Sequence, residues 1–541
     1  MEFTRCECTI SVIYFLQGNY IHYVNMGYLI SALNAAGYNC NVYSATEKTV
    51  ENIAESLCKD QYNIVFIHFE HGFLDLCKTL CEKIKSVSNT STIILFNKLS
   101  TSFGQRILEF VPELDIAIRG EYDRTVVELC DTLISKTDIG ECRGIWFKDV
   151  NHNIKTTAER EVIDNLDVLP FPERSAFPHN NLFHIIGSRG CEGHCTFCSW
   201  NCLFYNSIKQ QRFRSVHSIL CEVDYLVKKY GCKYVGFSDA TFCATKERHT
   251  RLNELYTGLK DRDYFVQFFI NLRSEQIDGK IIKTLTKLAK VGLGRVFIGI
   301  ESLNSSDLSL YGKIASVEDN MKAISLLSKF NYLGGNKYEV DIEYGFILFN
   351  PYTTIEDLYN NISTLQRFGR LLTPNVISSL ECNYTTKITK KIDSENLLVK
   401  HVECMNMDEL TSLSYAYYFV NHDVCMKWEL LLNIYLYLNI VIPSNFIFLR
   451  NRYYHFNGYT DRLKRIDDIY LKWRQRLSDF CYYIIYYVLD MDINNFEMSL
   501  KEVKLICDTF LHDFTGINNE LQKSMYRLII ELTKDGEMVY E

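Results

Sequence analysis

The chain has 541 residues, which is too long for one ordinary domain and predicts roughly three domains at about 150 residues each. A formal net charge of -8 provides no basic surface for a polyanion, so we expect no nucleic-acid partner. The chain has 20 cysteines, but its N-terminus lacks the basic and long apolar regions of a signal peptide. We therefore expect reduced thiols in the cytoplasm.

Residues 1–140 alternate strand-like and helix-like patterns, which is typical of a doubly wound, Rossmann-like parallel sheet. Ligands of such a sheet bind beyond the carboxyl ends of its strands. His22, His68 and His71 lie near that edge, but a lone histidine beside a strand end is more often structural, and we assign them no role. Strands are predicted at residues 9–15, 40–43, 62–69, 92–96 and 115–118. The loops expected to face a ligand are residues 17–20, 70–72, 97–100 and 120–122.

Residues 141–180 are predicted to be a linker, with a small hairpin at 145–155 followed by a stretch that holds three of the seven prolines. The strand–helix alternation restarts in residues 181–380. Six βα units predict a partial (β/α)6 barrel, in which chemistry is expected at the carboxyl ends of the strands. Its strands are predicted at residues 183–187, 234–238, 267–272, 295–300 and 340–348, with a sixth unit near 376–380.

Three cysteines follow the first strand of this central domain in the stretch SRGCEGHCTFCSW. Cys191, Cys195 and Cys198 have C-x3-C-x2-C spacing, and thiolates suit iron–sulfur clusters or zinc. Three such ligands can hold three irons of a cubane cluster and leave the fourth iron open to a small molecule. A structural zinc site needs a fourth protein ligand, for which His194 and Cys202 are the candidates.

The spacing and its neighbours, SRGC and HCTFCS with Phe197 before the third cysteine, resemble the signature of radical S-adenosylmethionine (SAM) enzymes. The match is to the branch whose members carry an N-terminal cobalamin-binding-type domain. The resemblance implies a 4Fe-4S cluster on Cys191, Cys195 and Cys198. It also implies SAM bound at the open iron, a 5′-deoxyadenosyl radical formed by reductive cleavage of SAM, and a flavodoxin- or ferredoxin-type reductant.

The resemblance also implies SAM-binding residues at the ends of the barrel strands. Arg273 is a fixed cation that could meet the carboxylate of SAM with a bidentate fork, and Glu301, in the family-like phrase GIES, could accept hydrogen bonds from the ribose hydroxyls. Lys313 matches a lysine common after GIES, without an assigned role, and no residue is assigned as catalytic. The expected SAM contacts are Phe197, Ser238, Asp239, Arg273 and Glu301.

The position of the first domain and the stretch RGEYDRT resemble the cobalamin-binding domain of this branch, which implies contacts from Gly120 and Glu121. Two features depart from that pattern. The D-x-H-x-x-G motif is absent after the first strand, and Phe96-Asn97 replaces a Gly-Gly pair at the end of the fourth strand. Side chains at that point would crowd the nucleotide tail of cobalamin. The alternative is a vestigial domain that serves as a platform for a substrate or partner.

Residues 381–541 are predicted to be helical and rich in aromatic residues. Aromatic residues at helical spacing are usually core, and the alternative is a helical cap that closes the barrel mouth and lines a substrate cavity. The most apolar run, residues 430–442, is shorter than the roughly 20 residues of a membrane span, so we expect a buried helix and no membrane partner.

The leading hypothesis is a radical SAM enzyme that abstracts hydrogen from an unactivated carbon of a peptide or small molecule. With cobalamin, the expected outcome is C-methylation of a peptide or natural product, which would make the chain a methyltransferase. Without it, cyclisation, epimerisation or rearrangement is expected. Two rivals are a methylthiotransferase, with Cys40, Cys77 and Cys81 as an extra cluster site, and a non-catalytic zinc- or cluster-binding protein.

Overall fold

The structure is a computed structural model that describes residues 9–15, 21–57, 63–178, 181–200, 211–330, 337–368, 373–412, 414–443 and 445–534. The predicted ligand-facing loop at 17–20, the side chain of His22 and the candidate zinc ligand Cys202 lie outside these residues. The predicted fold class is confirmed, with an N-terminal parallel sheet, a central α/β domain and a C-terminal helical region.

Domain 1 is built on a seven-stranded sheet with the order β2-β1-β3-β4-β5-β6-β7. The first five strands in the chain are parallel, and β3 is buried along its whole length because helices cover both faces of the sheet. The predicted linker hairpin extends this sheet as the antiparallel strands β6 and β7. The strands are β1 Thr9–Phe15, β2 Cys40–Ala45, β3 Asn63–His68, β4 Thr92–Phe96, β5 Ile116–Ile118, β6 Ile145–Lys148 and β7 Ile154–Thr156. The helices are α1 Ile21–Ala35, α2 Val50–Leu57, α3 Leu74–Val87, α4 Lys98–Phe110 and α5 Thr125–Ser135.

The central domain is a parallel sheet of five strands with the order β14-β13-β12-β11-β8, and a two-stranded ribbon, β9 and β10, lies beside it. Its strands are β8 Leu182–Ile185, β9 Ser188–Arg189, β10 Arg212–Phe213, β11 Tyr234–Phe237, β12 Gln267–Arg273, β13 Leu293–Glu301 and β14 Asp341–Phe346. Its helices are α6 Val216–Tyr230, α7 Arg248–Lys260, α8 Gly279–Ala289, α9 Ser305–Leu310, α10 Val317–Leu327, α11 Ile355–Phe368 and α12 Thr373–Val376.

The predicted sixth strand forms only a single parallel bridge between Phe349 and Ser379. The backbone N–H groups of Leu348 and Phe349 both donate to the carbonyl of Ser378, and Leu380 donates back to Phe349. The chain then leaves the sheet and runs over the cysteine loop, where the N–H of Ile388 donates to the carbonyl of Thr196. The pairing ends because this segment continues toward the cysteines.

The C-terminal helices pack mainly against the end of the central sheet that is remote from the cysteines. The ring of Phe448 lies against Gly294, where a side-chain Cβ would come within 2.7 Å of it, and Arg450 forms a buried ion pair with Asp467 at 2.9 Å. The aromatic residues of this region are divided between core and surface: Phe446, Tyr470 and Trp473 are buried, whereas Tyr418, Phe456 and Tyr483 are exposed. The helices are α13 Lys387–Ser394, α14 Met407–Leu410, α15 His422–Leu438, α16 Phe446–Asn457, α17 Asp461–Asp490 and α18 Phe496–Lys534.

The structure bears on two further expectations, one about membrane-spanning helices and one about a second cluster site. No helix in the described part of the chain combines the length and the apolar character that a membrane crossing requires. Cys77 and Cys81 are fully buried in the hydrophobic core of domain 1, while Cys40 lies on β2, so these three thiols do not form an exposed ligand set.

Candidate active site at the junction of the two sheets

The cysteine loop begins directly after β8 and β9, at the carboxyl end of the central sheet. Gly190 has φ +81°, which turns the chain just before Cys191. The Sγ atom of Cys191 accepts a hydrogen bond from the N–H of Gly193 at 3.4 Å, and that of Cys198 accepts one from Trp200 at 3.5 Å. All three thiols are half-buried. Burial raises the pKa of Cys191, and it raises the pKa of Cys198 to about 11.

This donor set fits an iron–sulfur cluster, whose sulfur ligands accept N–H hydrogen bonds. Metal binding would release the thiol protons that burial retains. Within the described residues, no group of three or more His, Cys, Asp or Glu side chains is arranged to hold a single metal ion. Thiolates that bind three different irons of a cluster do not need to converge on one point.

The middle of the loop is fixed to the central domain through Thr196 and Phe197. The N–H and the hydroxyl of Thr196 donate to the carbonyls of Tyr311 and Leu310, both at 2.8 Å. Phe197 packs edge-on against the buried ring of Tyr311 at 5.4 Å. The predicted SAM contact Phe197 therefore also anchors the loop.

Arg273, at the end of β12, faces the first cysteine. Its guanidinium is buried, forms an ion pair with Glu275, and has its Nη1 atom 4.0 Å from the Sγ atom of Cys191. A side chain at position 193 would place Cβ 2.0 Å from Nη1, so only glycine leaves room for Arg273. The Nη2 atom has no hydrogen-bond partner in the described part of the chain. Such a buried donor beside Cys191 fits a carboxylate ligand such as that of SAM.

Glu301 ends β13 in a left-handed backbone conformation, with φ +69°. This conformation costs a non-glycine residue about 1–2 kcal/mol, and such strain is concentrated at functional sites. The side chain lies 3.8 Å from the Nζ atom of Lys313, and Gly299 and Gly345 leave space for its carboxyl group. Burial raises the pKa of Glu301, while the charges of Lys313 and Arg273 act in the opposite direction.

Asp239 and Ser238 follow β11 but face different surroundings. Asp239 is fully buried, and its carboxylate accepts the N–H groups of Gly187 at 2.8 Å and Ser188 at 2.6 Å. Burial raises the pKa of Asp239 to about 7, and Arg251 acts in the opposite direction. This carboxylate therefore holds the start of the cysteine loop in place. The hydroxyl of Ser238 lies 3.0 Å from the Nδ1 atom of His184 and faces a cavity.

That cavity, of about 280 Å³, lies between the carboxyl ends of the two sheets. Three of the four predicted ligand-facing loops of domain 1 contribute to its lining, together with the adjacent Thr101 and Asp123. The lining residues of domain 1 there are Glu70, Asn97, Lys98, Thr101, Gly120, Glu121, Tyr122 and Asp123. The central domain contributes Ile186, Ser188, Arg189, Trp200 and Ser238. The two expected ligand edges thus meet in one space.

Glu121, which we predicted to contact cobalamin, forms ion pairs that join the two domains. Its carboxylate accepts hydrogen bonds from the N–H of Ile163 at 2.9 Å and from Arg212 at 2.5 Å. Two residues later, Asp123 forms a bidentate pair with Arg189 at 2.7 and 3.0 Å. Asp123, Arg189 and Arg212 are not among the site residues that the sequence predicts. Glu121 and Asp123 in the RGEYDRT stretch and the arginines on both sides of the cysteine loop are visible in the sequence, but no local pattern pairs them.

The end of β4 is filled by side chains, as the Phe96-Asn97 pair predicted. Phe96 is fully buried against His68 and Tyr122, with ring centroids 5.1 and 5.4 Å apart. Asn97 has φ +115°, a backbone conformation that favours glycine, and its amide donates to Glu70 at 3.0 Å while its oxygen caps α4. The backbone therefore keeps a glycine-like shape while the side chain occupies the edge of the sheet.

Comparison with known proteins finds similar sequences and similar folds. The profile of the radical SAM superfamily matches residues 185–346. An uncharacterized methyltransferase from Pyrococcus horikoshii is 25% identical over 293 residues, which cover 53% of this chain and 62% of the relative. The 4'-phospho-dehydrooxetanocin synthase of Priestia megaterium is 25% identical over 383 residues, covering 65% of this chain and 49% of the relative. The chain thus spans less than two thirds of the length of either relative.

The solved structure of the cobalamin-dependent S-adenosylmethionine radical enzyme OxsB, with aqua-cobalamin and S-adenosylmethionine bound, has a TM-score of 0.69 to this chain at 18% identity. The alignment covers 96% of this chain and 84% of that one, so the two share a fold from the first sheet to the C-terminal helices. The match to the radical SAM superfamily, over residues 185–346, includes the cysteine loop and the strands β11 to β14.

Proposed function

We propose that the chain is a radical SAM enzyme that removes a hydrogen atom from an unactivated carbon of a small-molecule or peptide substrate. The observation that carries this proposal is the three-cysteine loop at the carboxyl end of the central sheet, with the buried guanidinium of Arg273 facing Cys191. When bound to the three cysteines, a 4Fe-4S cluster with SAM at its open iron supplies a 5′-deoxyadenosyl radical.

The residues around the loop have separate tasks in this proposal. The Nη2 group of Arg273 binds the carboxylate of SAM, since it is a buried donor that needs an acceptor. Glu301 accepts hydrogen bonds from the ribose hydroxyls and is kept in place by Lys313. Asp239 holds the backbone of residues 187–188, and Phe197 packs on Tyr311, which excludes water from one side of the loop.

We further propose that the cavity between the domains binds a corrinoid, so that the reaction is a C-methylation. In support, the cavity lies between the crevice loops of domain 1, including Gly120, and the residues that lead into the cysteine loop. The name of the Pyrococcus relative and the cobalamin bound in OxsB agree with this choice. A corrinoid would supply the methyl group. Because Phe96 and Asn97 fill the end of β4, the nucleotide tail would have to lie elsewhere. Cyclisation, epimerisation or rearrangement is the alternative without a corrinoid.

Anaerobic reconstitution of the full chain with iron and sulfide, followed by dithionite and SAM, tests the first proposal. We expect about four irons per chain and release of 5′-deoxyadenosine. Alanine at Cys191, Cys195 or Cys198 should abolish both, whereas Cys243→Ala, at a buried cysteine outside the loop, should retain them. Stoichiometric zinc without SAM cleavage would instead support a binding protein. A flavodoxin- or ferredoxin-type protein is the reductant that we propose for the reaction in the cell.

Titration of hydroxocobalamin into the full chain tests the second proposal through its visible spectrum. We expect saturable spectral changes at about one equivalent. Asn97→Gly removes a side chain where the backbone already suits glycine, so it should tighten binding only if part of the corrinoid enters beside β4. An unchanged spectrum would reject the corrinoid and favour the alternative reactions.

A further inference from the structure

Domain 1 contacts the cysteine loop at both of its ends. Arg189 lies two residues before Cys191, and its guanidinium is held by the Asp123 carboxylate in a bidentate pair. Ser199 directly follows Cys198, and its hydroxyl accepts a hydrogen bond from the Nζ atom of Lys98 at 2.7 Å. Lys98 begins α4 after β4, and Asp123 follows β5. Both contacts therefore come from the ligand edge of the first sheet.

The contact at Arg189 is buried and leaves little freedom for the chain around it. Arg189 is 6% exposed and Asp123 is 4% exposed. Glu121 also lies 3.6 Å from Arg189, and its other oxygen pairs with Arg212 on the neighbouring strand β10. Two carboxylates and two guanidinium groups thus balance each other at the domain boundary. A buried pair of this kind fixes geometry because moving either partner leaves a charge unpaired.

The same side chains also face the cavity. Lys98, Asp123 and Arg189 all line it, together with Trp200 next to Ser199. Any molecule in the cavity therefore lies against the groups that hold the cysteine loop. Arg189 and Ser199, which flank the cysteines, thus both have partners in domain 1.

We propose that Asp123 and Lys98 are positioning residues for the cysteine loop, so that the docking of domain 1 sets the environment of the cluster. This inference rests on the proposed function, because its test measures an iron–sulfur cluster bound to the loop. It assigns domain 1 a role in the cluster site that does not depend on which ligand the cavity binds.

The test uses the full chain, reconstituted anaerobically, with Asp123→Asn as the main variant. The readouts are iron retained during a chelator challenge and the electron paramagnetic resonance spectrum of the reduced cluster. We expect Asp123→Asn to lose iron roughly tenfold faster, the lower end of the loss in metal affinity that follows removal of a direct partner of a metal ligand, because Asp123 acts through Arg189. The electron paramagnetic resonance spectrum should also change, because Arg189, two residues before Cys191, loses its bidentate ion pair.

The matched control is Asp115→Asn, which removes the same charge from the other end of β5. Asp115 pairs with Lys85 at 2.9 Å and accepts the N–H of Ile93 at 2.7 Å, so it serves domain 1 alone. We expect it to lower thermal stability while leaving the iron retention and the spectrum unchanged. Lys98→Met, which removes the hydrogen bond to Ser199, is the second loop variant. If Asp123→Asn does not fold, the iron retention and spectrum of Lys98→Met test the inference.

Wild-type iron retention and spectrum in the folded loop variants would overturn the inference, and so would equal effects of Asp115→Asn and Asp123→Asn. In both cases the proposed function would stand, because the unsubstituted chain would still hold a cluster. Failure of the unsubstituted chain to retain iron would overturn both.

Discussion

Replacement of Gly193 by alanine tests whether Arg273 is fixed against the cysteine loop. An alanine Cβ would lie 2.0 Å from the Nη1 atom of Arg273 and 2.9 Å from its Cζ atom. Carbon atoms in contact settle roughly 3.5–4.0 Å apart, so the guanidinium would have to withdraw by more than about 1 Å. The backbone of Gly193 is not in the left-handed region, so the cost comes from this clash alone.

Arg273 has little space into which it can withdraw. Its side chain is 7% exposed and is paired with Glu275, and its backbone N–H donates to the side chain of Gln276 at 3.0 Å. Overpacking of a filled site costs about 1–3 kcal/mol. We expect Gly193→Ala to lower the free energy of unfolding by that amount and to remove the approach of Arg273 to Cys191.

A double-mutant cycle with Arg273→Ala isolates the clash. Without the guanidinium, the added methyl group meets nothing comparable, so Gly193→Ala should then be nearly neutral. The coupling energy should therefore nearly equal the cost of the single substitution. Denaturant unfolding of the four proteins, followed by circular dichroism, measures it. Gly279→Ala is the control, because a Cβ there has no atom within 4 Å. Equal costs of Gly193→Ala in both backgrounds would refute the argument.

Two further predictions concern buried carboxylates. The pKa of Asp239 in the folded protein is about 7, above its ordinary value of 3.8. The folded state therefore keeps a proton that the unfolded chain loses between pH 4 and 7. The free energy of unfolding should fall by about 2–4 kcal/mol over this range. Asp239→Asn should flatten this part of the melting-temperature profile, and a constant difference between the two proteins across pH would contradict the assignment. Glu222→Gln should cost about 3–5 kcal/mol in denaturant unfolding, since Glu222 is fully buried between Arg174 and Arg214. A cost below 1 kcal/mol would show that water reaches these guanidinium groups.

The strands of both sheets could be predicted because their determinants are local. Parallel strands that are covered on both faces appear as short apolar runs, and β1, β3 and β4 have this pattern. The sixth strand of the central domain could not be predicted reliably. A full strand would require residues 376–380 and those that follow to stay paired with the sheet. The chain instead turns toward the cysteine loop after Leu380, and this turn depends on tertiary packing rather than on the local sequence.

The candidate site shows the same division between local and long-range information. Ligand spacing points to the cysteines, and the structure places Arg273, Glu301 and Asp239 at strand ends, while their contacts with SAM stay predictions. Whether a strand-end carboxylate faces a ligand or a backbone depends on the tertiary structure, and Asp239 binds the backbone. The pair of Asp123 and Arg189 joins residues 66 positions apart in two domains, for which no local pattern exists.

Backbone strain and buried charge point to the junction of the two sheets independently of any motif. Among the described residues, Asn97 and Glu301 are non-glycine residues that adopt positive φ at the carboxyl end of a buried strand, one in each sheet. Asn97 adopts a conformation that is nearly restricted to glycine, but its side chain caps a helix, whereas Glu301 caps none. Glycine at position 301 would be less strained, which agrees with the proposed role of the Glu301 carboxyl group. The nearby pair of Asp123 and Arg189 likewise places charges where apolar contacts would serve stability equally well. Strained backbone at the ends of β4 and β13 and a buried ion pair between the domains thus lie on the ligand edges of the two sheets, and strain of this kind is typical of functional sites.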